Sequence, residues 1–140
     1  MERKGIIFDW IGTLAISSNE GLFPYSEEVV KKLSGRYKLS LVSIAGFGID
    51  KREEEIKESG LIKYFEHVIV DIVKTAGQYL ECIEKMGTTH KTTLVIDDRM
   101  RRGIMIGNRL RCQTYWIRKG KYAHELPDEE TGEPTKIIDS

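Results

Sequence analysis

The chain has 140 residues, 40% hydrophobic and 31% charged, with 22 basic and 22 acidic side chains that cancel. That is the composition of an ordinary globular chain, and the length favours one domain, residues 1–140, around one core. No apolar run approaches the roughly 18 residues of a membrane span, Met1-Glu2-Arg3-Lys4 reads straight into a first strand with no signal peptide, and zero net charge argues against bulk nucleic-acid binding.

Ile6, Ile7 and Phe8 form a short apolar run that reads as a buried strand. It ends on Asp9, with Gly12 three residues later. A carboxylate at the carboxyl end of a buried strand, beside a glycine turn, lies where open α/β sheets bind ligands. The plainer alternative is an Asp that caps the turn through nearby backbone N–H groups. Residues Leu14 to Tyr25 carry turn chemistry and read as a surface loop. Ser26, followed by Glu27 and Glu28, reads as the N-cap of a helix whose stripe is Val29, Val30 and Leu33 and which ends at Gly35.

Leu39 to Ile44 reads as the second strand, with Ser43 near its end and the loop Ala45-Gly46-Phe47-Gly48 after it. Asp50 and Glu53 have capping-box spacing. Their helix runs to about Ser59, with Gly60 beyond, and is charged enough to read as a solvated surface helix. A third strand, His67 to Val70, leads to Lys74-Thr75 at the start of a helix. Tyr79, Leu80, Ile83 and Met86 form its stripe and Gly87 its stop. Thr92 to Ile96 is a fourth strand ending on Asp97-Asp98, Gly103 to Leu110 a helix, Cys112 to Ile117 a fifth strand, and Lys136 to Ile138 a short last strand. Cys82 and Cys112 lack metal-ligand spacing and read as small buried hydrophobes, which fits a reducing cytoplasm.

Strands alternating with helices predict an α/β fold with a parallel sheet whose carboxyl ends share one edge. Asp9, Ser43 and Asp97-Asp98 fall at those ends, and Lys74 begins a helix just beyond one. Adjacent carboxylates repel, and a nearby cation relieves them. With oxygen ligands only, Mg²⁺ is the natural candidate. A lysine and a hydroxyl suit phosphate oxygens, and Asp9 could then be an attacking carboxylate. Against this stand plainer meanings: Asp98 as a helix N-cap, Trp10 as a partly buried aromatic, and Arg99-Met100-Arg101-Arg102 as a solvated face rather than a clamp for an anion. From Arg99 to Lys121 the chain is basic with no acid, and Glu125, Asp128, Glu129, Glu130 and Glu133 follow at once. His67, His90 and His124 have no ligand spacing.

In this order the residues resemble the motifs of the haloacid-dehalogenase-like (HAD) hydrolases. Asp9-Trp10-Ile11-Gly12-Thr13 is similar to the family's Asp-x-Asp-Gly-Thr, Ser43 to the Ser or Thr ending the next strand, Lys74 to the lysine at a helix start, and Asp97-Asp98 to the acidic pair after a strand. The resemblance implies a Rossmann-like parallel sheet flanked by helices, with Asp9 as nucleophile and Lys74 beside it. It implies a phosphoryl group held by Ser43, Lys74 and the backbone N–H groups around Gly12 and Thr13. It implies Mg²⁺ held by Asp9, the backbone C=O of Ile11, and Asp97 or Asp98.

The family's second Asp is absent, and Ile11 stands in its place. In the family's phosphatases that Asp protonates the leaving group and then activates water. A positioned acid or base contributes roughly 10² to 10⁴ in rate. Branches without it include dehalogenases, phosphonate-cleaving enzymes, which carry Ala there, and ion-pumping ATPases. The first two use a cap domain, for which the short segments from Thr13 to Ser43 and from Ser43 to Lys74 leave no room. The expectation is a capless, open, cytoplasmic Mg²⁺-dependent phosphatase, slow or restricted to good leaving groups. Its substrate would be a phosphorylated small molecule or macromolecule, with no membrane or nucleic-acid partner, and another subunit of a homo-oligomer could cover its site. The alternatives are a non-catalytic module binding a phosphorylated ligand or partner, carbon–halogen or carbon–phosphorus cleavage by the same nucleophile, and a purely structural role.

Overall fold

A computed structural model describes residues 3–46 and 48–139. Met1, Glu2 and Phe47, which figure in the expected N-terminal lead and the loop after the second strand, lie outside the described residues. In chain order the elements are β1 (Gly5–Phe8), β2 (Ala15–Ser17), β3 (Gly21–Leu22), α1 (Ser26–Ser34), β4 (Lys38–Ile44), α2 (Ile49–Glu58), β5 (His67–Asp71), α3 (Ala76–Met86) and β6 (Thr93–Asp97). There follow a π-helical turn (Met100–Ile104) that runs into α4 (Met105–Arg109), then β7 (Gln113–Ile117) and β8 (Lys136–Ile138). The main sheet has the order β5-β4-β1-β6-β7-β8, and every pairing is parallel. This is the expected Rossmann-like α/β architecture.

A central parallel strand must be apolar on both faces because helices cover both. β1 meets that demand by alternation. Ile6 and Phe8 enter one layer with Val30 of α1, Leu39 and Leu41 of β4 and Ile56 of α2. Ile7 enters the opposite layer with Val42, Val95, and Tyr79, Cys82, Ile83 and Met86 of α3. β1 is thus clamped between β4 and β6, and its carboxyl end is fixed at the middle of the sheet edge.

Several local expectations change. The stretch after Thr13 is not all loop, since β2 and β3 pair as a small antiparallel hairpin. Ser26 does not cap α1; its hydroxyl donates to the Leu14 carbonyl at 2.6 Å and ties the helix start to the turn after β1. Asp50 and Glu53 form no capping box, and α2 starts from Gly48 without a side-chain cap. The capping box is at α3 instead, between Thr75 and Gln78 (Gln78 N–H to Thr75 Oγ1 3.3 Å, Thr75 N–H to Gln78 Oε1 3.0 Å). On α3, Leu80 is exposed and Cys82 takes the inward place. α2 is not wholly solvated, because Arg52 and Ile56 are buried.

Among the described residues, only the hairpin and α1 lie between β1 and β4, and only α2 and one 3₁₀ turn between β4 and β5. No cap is inserted at either point. Among the described residues, no helix is long and apolar enough to cross a membrane.

Candidate active site

The chain reverses immediately after β1. The Asp9 N–H extends the ladder by donating to the Ile96 carbonyl (3.0 Å), and the Trp10 carbonyl then accepts from the N–H groups of Leu14 (2.9 Å) and Ala15 (2.8 Å). Trp10 is fully buried rather than partly so. Gly12 makes the reversal possible with φ +85°, a region disfavoured for residues that carry a Cβ. The tight turn holds the Asp9 carboxylate at the sheet edge, where the Thr13 hydroxyl donates to Oδ2 at 3.3 Å.

Lys74, just before α3, reaches this carboxylate. Its Nζ lies 2.7 Å from Asp9 Oδ1 and 2.9 Å from Asp97 Oδ2, with the lysine side chain only 3% exposed. Asp97 accepts three hydrogen bonds. Its Oδ1 accepts from the Arg99 N–H (3.0 Å), and its Oδ2 accepts from the Gly103 N–H (3.0 Å) as well as from Lys74. Gly103 has to be glycine for this, because a Cβ there would fall 2.1 Å from Asp97 Oδ2. Asp97, not Asp98, therefore takes the helix-capping part.

Asp98 is placed differently. Its backbone carbonyl accepts from the indole of the buried Trp116 at 3.0 Å. Its carboxyl meets no amide, ammonium or hydroxyl donor among the described residues, and its neighbours are other carboxylates. Oxygens of Asp9, Asp97 and Asp98 all lie within 4.8 Å of one another. Burial, and then the charges of Asp9 and Asp97, push the Asp98 carboxyl up to about 9. Burial and Asp97 also raise Asp9, against the pull of Lys74. Burial pulls the Lys74 ammonium down, but Asp9 and Asp97 outweigh it and hold the lysine well above its ordinary value. Three carboxyl groups thus crowd around one cation in a buried place, and their mutual repulsion keeps a proton on Asp98, the one that no donor reaches.

Ser43, at the end of β4, accepts a hydrogen bond from Arg52 Nη1 at 2.7 Å. The same guanidinium bonds the Ile44 carbonyl (2.9 Å), Ser18 Oγ (3.3 Å) and Glu55 Oε2 (3.1 Å). Arg52 was missed in the sequence because its helix looked solvated; Ile49, Arg52 and Ile56 at i, i+3 and i+7 carried the signal of an inward face.

Asp9, Ile11, Ser43, Lys74 and Asp98 line one cleft of about 240 Å³, together with Ile44, Arg52, Arg99, Arg102 and Tyr122. Gly12 and Thr13 do not line it. The Gly12 N–H donates to the Ala15 carbonyl (2.7 Å) and the Thr13 N–H to the Trp10 carbonyl (3.3 Å), so neither is turned to a ligand. Three arginines of the basic run pair with acids of the run after it. Arg99 makes a two-point contact with Glu125 (2.9 and 3.0 Å) and stacks 3.6 Å above the Tyr122 ring. Arg101 pairs with Asp128 and Glu130, and Arg109 with Glu130.

No protein-family model matches the chain, and no curated protein is similar to it in sequence. Solved structures are similar in shape. A protein of Clostridium difficile assigned as a phosphatase superposes with a TM-score of 0.81 at 11% identity, over 99% of this chain and 95% of that one. Magnesium-bound YfnB of Bacillus subtilis, assigned to the HAD hydrolases, gives 0.76 at 13% identity, over 99% and 95%. A haloacid dehalogenase-like family hydrolase from Streptococcus pneumoniae gives 0.73 at 11% identity, over 99% and 94%. The chain thus shares the fold of these HAD-like hydrolases.

Proposed function

We propose that the chain is a magnesium-dependent phosphohydrolase in which Asp9 accepts the phosphoryl group. The observation that carries this is the pairing of Asp9 with Lys74 at 2.7 Å, on the floor of a cleft that also holds Ser43 and the donor-free carboxyl of Asp98. Lys74 orients one oxygen of Asp9 and Thr13 the other, so the nucleophile is fixed before substrate arrives. Two ammonium hydrogens of Lys74 are spent on carboxylates, and the third is free for a phosphoryl oxygen. Ser43 accepts from Arg52, which leaves its own O–H to donate.

The donor set fits Mg²⁺. It consists only of oxygens, is buried, and sets three carboxyl groups around the single ammonium of Lys74, so that an ion could take the place of the proton on Asp98. Asp9, Asp98 and the Ile11 carbonyl, which accepts no hydrogen bond among the described residues, would hold the ion. Asp97 is already occupied by Lys74 and two backbone N–H groups. When bound, the ion supplies charge neutralisation for the phosphoryl oxygens.

The test is turnover of p-nitrophenyl phosphate with Mg²⁺. The expected result is hydrolysis that Asp9→Asn abolishes and a chelator stops. A purified protein with no Asp9-dependent hydrolysis across a broad phosphate panel would end this reading. Ile11 in the cleft lining favours a second one, a module that binds a phosphorylated ligand without turning it over. Stabilisation by Mg²⁺ and phosphate with no hydrolysis would select that alternative.

A further inference from the structure

Ile11 puts hydrocarbon in the cleft beside the nucleophile. The other acidic side chain lining the cleft, Asp98, is assigned to the metal above. A leaving group that departs here departs with its negative charge, and a cation rather than a proton has to meet it.

Arg102 is the cation available. Among the cleft's other bases, Lys74 is held by Asp9 and Asp97, Arg99 by Glu125, and Arg52 by Glu55, Ser43 and the Ile44 carbonyl. Arg102 is half-buried and meets no acid or carbonyl acceptor among the described residues. It also lines a second groove, of about 470 Å³, which meets the cleft along Ile44, Lys74 and Arg102. Ile72, Val73 and Met105 supply apolar lining to this groove, with Ile72 and Val73 58% and 50% exposed, and Arg101 and Arg109 line it as well.

We infer that the substrate is a phosphoanhydride whose leaving phosphate chain is held by Arg102 in this second groove; the inference rests on the phosphohydrolase reading. An Asp9 oxygen bonds to the terminal phosphorus, and the bridging P–O bond breaks with its electron pair kept by the bridging oxygen. The shortened phosphate chain leaves as an anion against Arg102. Water then bonds to the phosphorus of the aspartyl-phosphate, and the P–O bond to Asp9 breaks with its pair returned to the carboxylate. Both water protons stay on the released dihydrogen phosphate, so no side chain need take one up. A phosphate chain is a far weaker base than an alkoxide and leaves without a proton. An alkyl ester would forgo the roughly 10² to 10⁴ that a general acid contributes.

The experiment compares kcat/KM with Mg²⁺ for tripolyphosphate, ATP, p-nitrophenyl phosphate and glycerol phosphate, in the parent chain and in Arg102→Gln and Arg102→Lys. Either anhydride should exceed glycerol phosphate by about 100-fold or more. Arg102→Gln should lower the anhydride values about tenfold more than the p-nitrophenyl phosphate value, with Arg102→Lys recovering part of the difference. ATP ahead of tripolyphosphate places a nucleoside against Ile72, Val73 and Met105; equal rates mean that the phosphate chain alone is read. Glycerol phosphate turned over as fast as the anhydrides, or an Arg102→Gln loss equal on all substrates, overturns the inference while leaving a phosphohydrolase. Absence of Asp9-dependent turnover on every substrate overturns both.

Discussion

The carboxyl of Asp98 fills the space beside Gly12. A Cβ on Gly12 would lie 2.2 Å from Asp98 Oδ2, and the backbone there has φ +85°. The turn after β1 and the acid after β6 are therefore fitted to each other, and one residue serves both. Gly12→Ala should cost about 3 kcal/mol, from strain in the turn and the displaced carboxyl together. It should also weaken Mg²⁺ binding. Urea unfolding with and without Mg²⁺ measures both effects. A variant as stable as the parent, with an undiminished Mg²⁺ response, would show that Asp98 moves aside freely.

Asp97 and Asp98 are neighbours in the chain with opposite expected phenotypes. Asp97 accepts from Lys74 and two backbone N–H groups in a fully buried place. Asp97→Asn should cost about 2 kcal/mol, because a charge-assisted bond is lost and an amide N–H₂ is turned toward donors. Asp98 receives no such bonds and is repelled by its neighbours. Asp98→Asn should leave the metal-free protein at least as stable as the parent and abolish the gain from Mg²⁺, a gain that for a specific site reaches about 2.7 kcal/mol at a hundred times its Kd. Melting curves of both variants, with Mg²⁺ and with a chelator, separate the roles. A Mg²⁺ shift lost in Asp97→Asn and kept in Asp98→Asn would reverse them.

The order of strands and helices was legible because parallel strands buried on both faces read as short apolar runs, and Ile6-Ile7-Phe8 and Leu94-Val95-Ile96 are such runs. Asp9, Ser43 and Asp97-Asp98 follow from strand ends and Lys74 from a helix start, and the structure brings them to one edge. Division of labour between Asp97 and Asp98 was not legible. It depends on which carboxyl the N–H groups of Arg99 and Gly103 reach, and spacing does not encode that. Arg52 was hidden for a related reason. Hydropathy counts a charge as outward-facing, whereas this guanidinium is buried by satisfying Ser43, Ile44 and Glu55. The pairing of the basic run with Glu125, Asp128 and Glu130 is a contact of the folded chain, and it removes most of the anion-clamp character that the sequence suggested.

Ile11 borders the cleft while packing against the layer that holds Phe8 and Trp10. Ile11→Asp would place a carboxyl in the cleft, near the nucleophile. Turnover of p-nitrophenyl phosphate and of alkyl phosphates should rise, with the larger gain on the alkyl esters and a ceiling of about 10⁴. A modest loss of stability accompanies it, since apolar contact is given up. The readout is kcat on both substrate types at several pH values, because a working acid adds a new limb to the pH profile. Equal or lower rates on both would mean that position 11 does not reach the leaving oxygen.

Cys82 and Cys112 are buried, and burial pushes their thiols up to about 12 and about 11. An unfolded thiol titrates near about 8.5. Above that pH the unfolded chain sheds protons that the folded chain keeps, so the thiols' linkage lowers stability as pH rises, until the native thiols ionise in their turn. The thiolate is the reactive form. At pH 8.5 the native protein should therefore react with a thiol-specific reagent at least about 100-fold more slowly than free cysteine, given the depleted thiolate and the closed surroundings. Both thiols should become reactive together when denaturant unfolds the chain. Fast modification of either cysteine in the native protein, without loss of folded signal, would show that α3 or the start of β7 opens locally and that these thiols are not locked in the layer beneath the sheet.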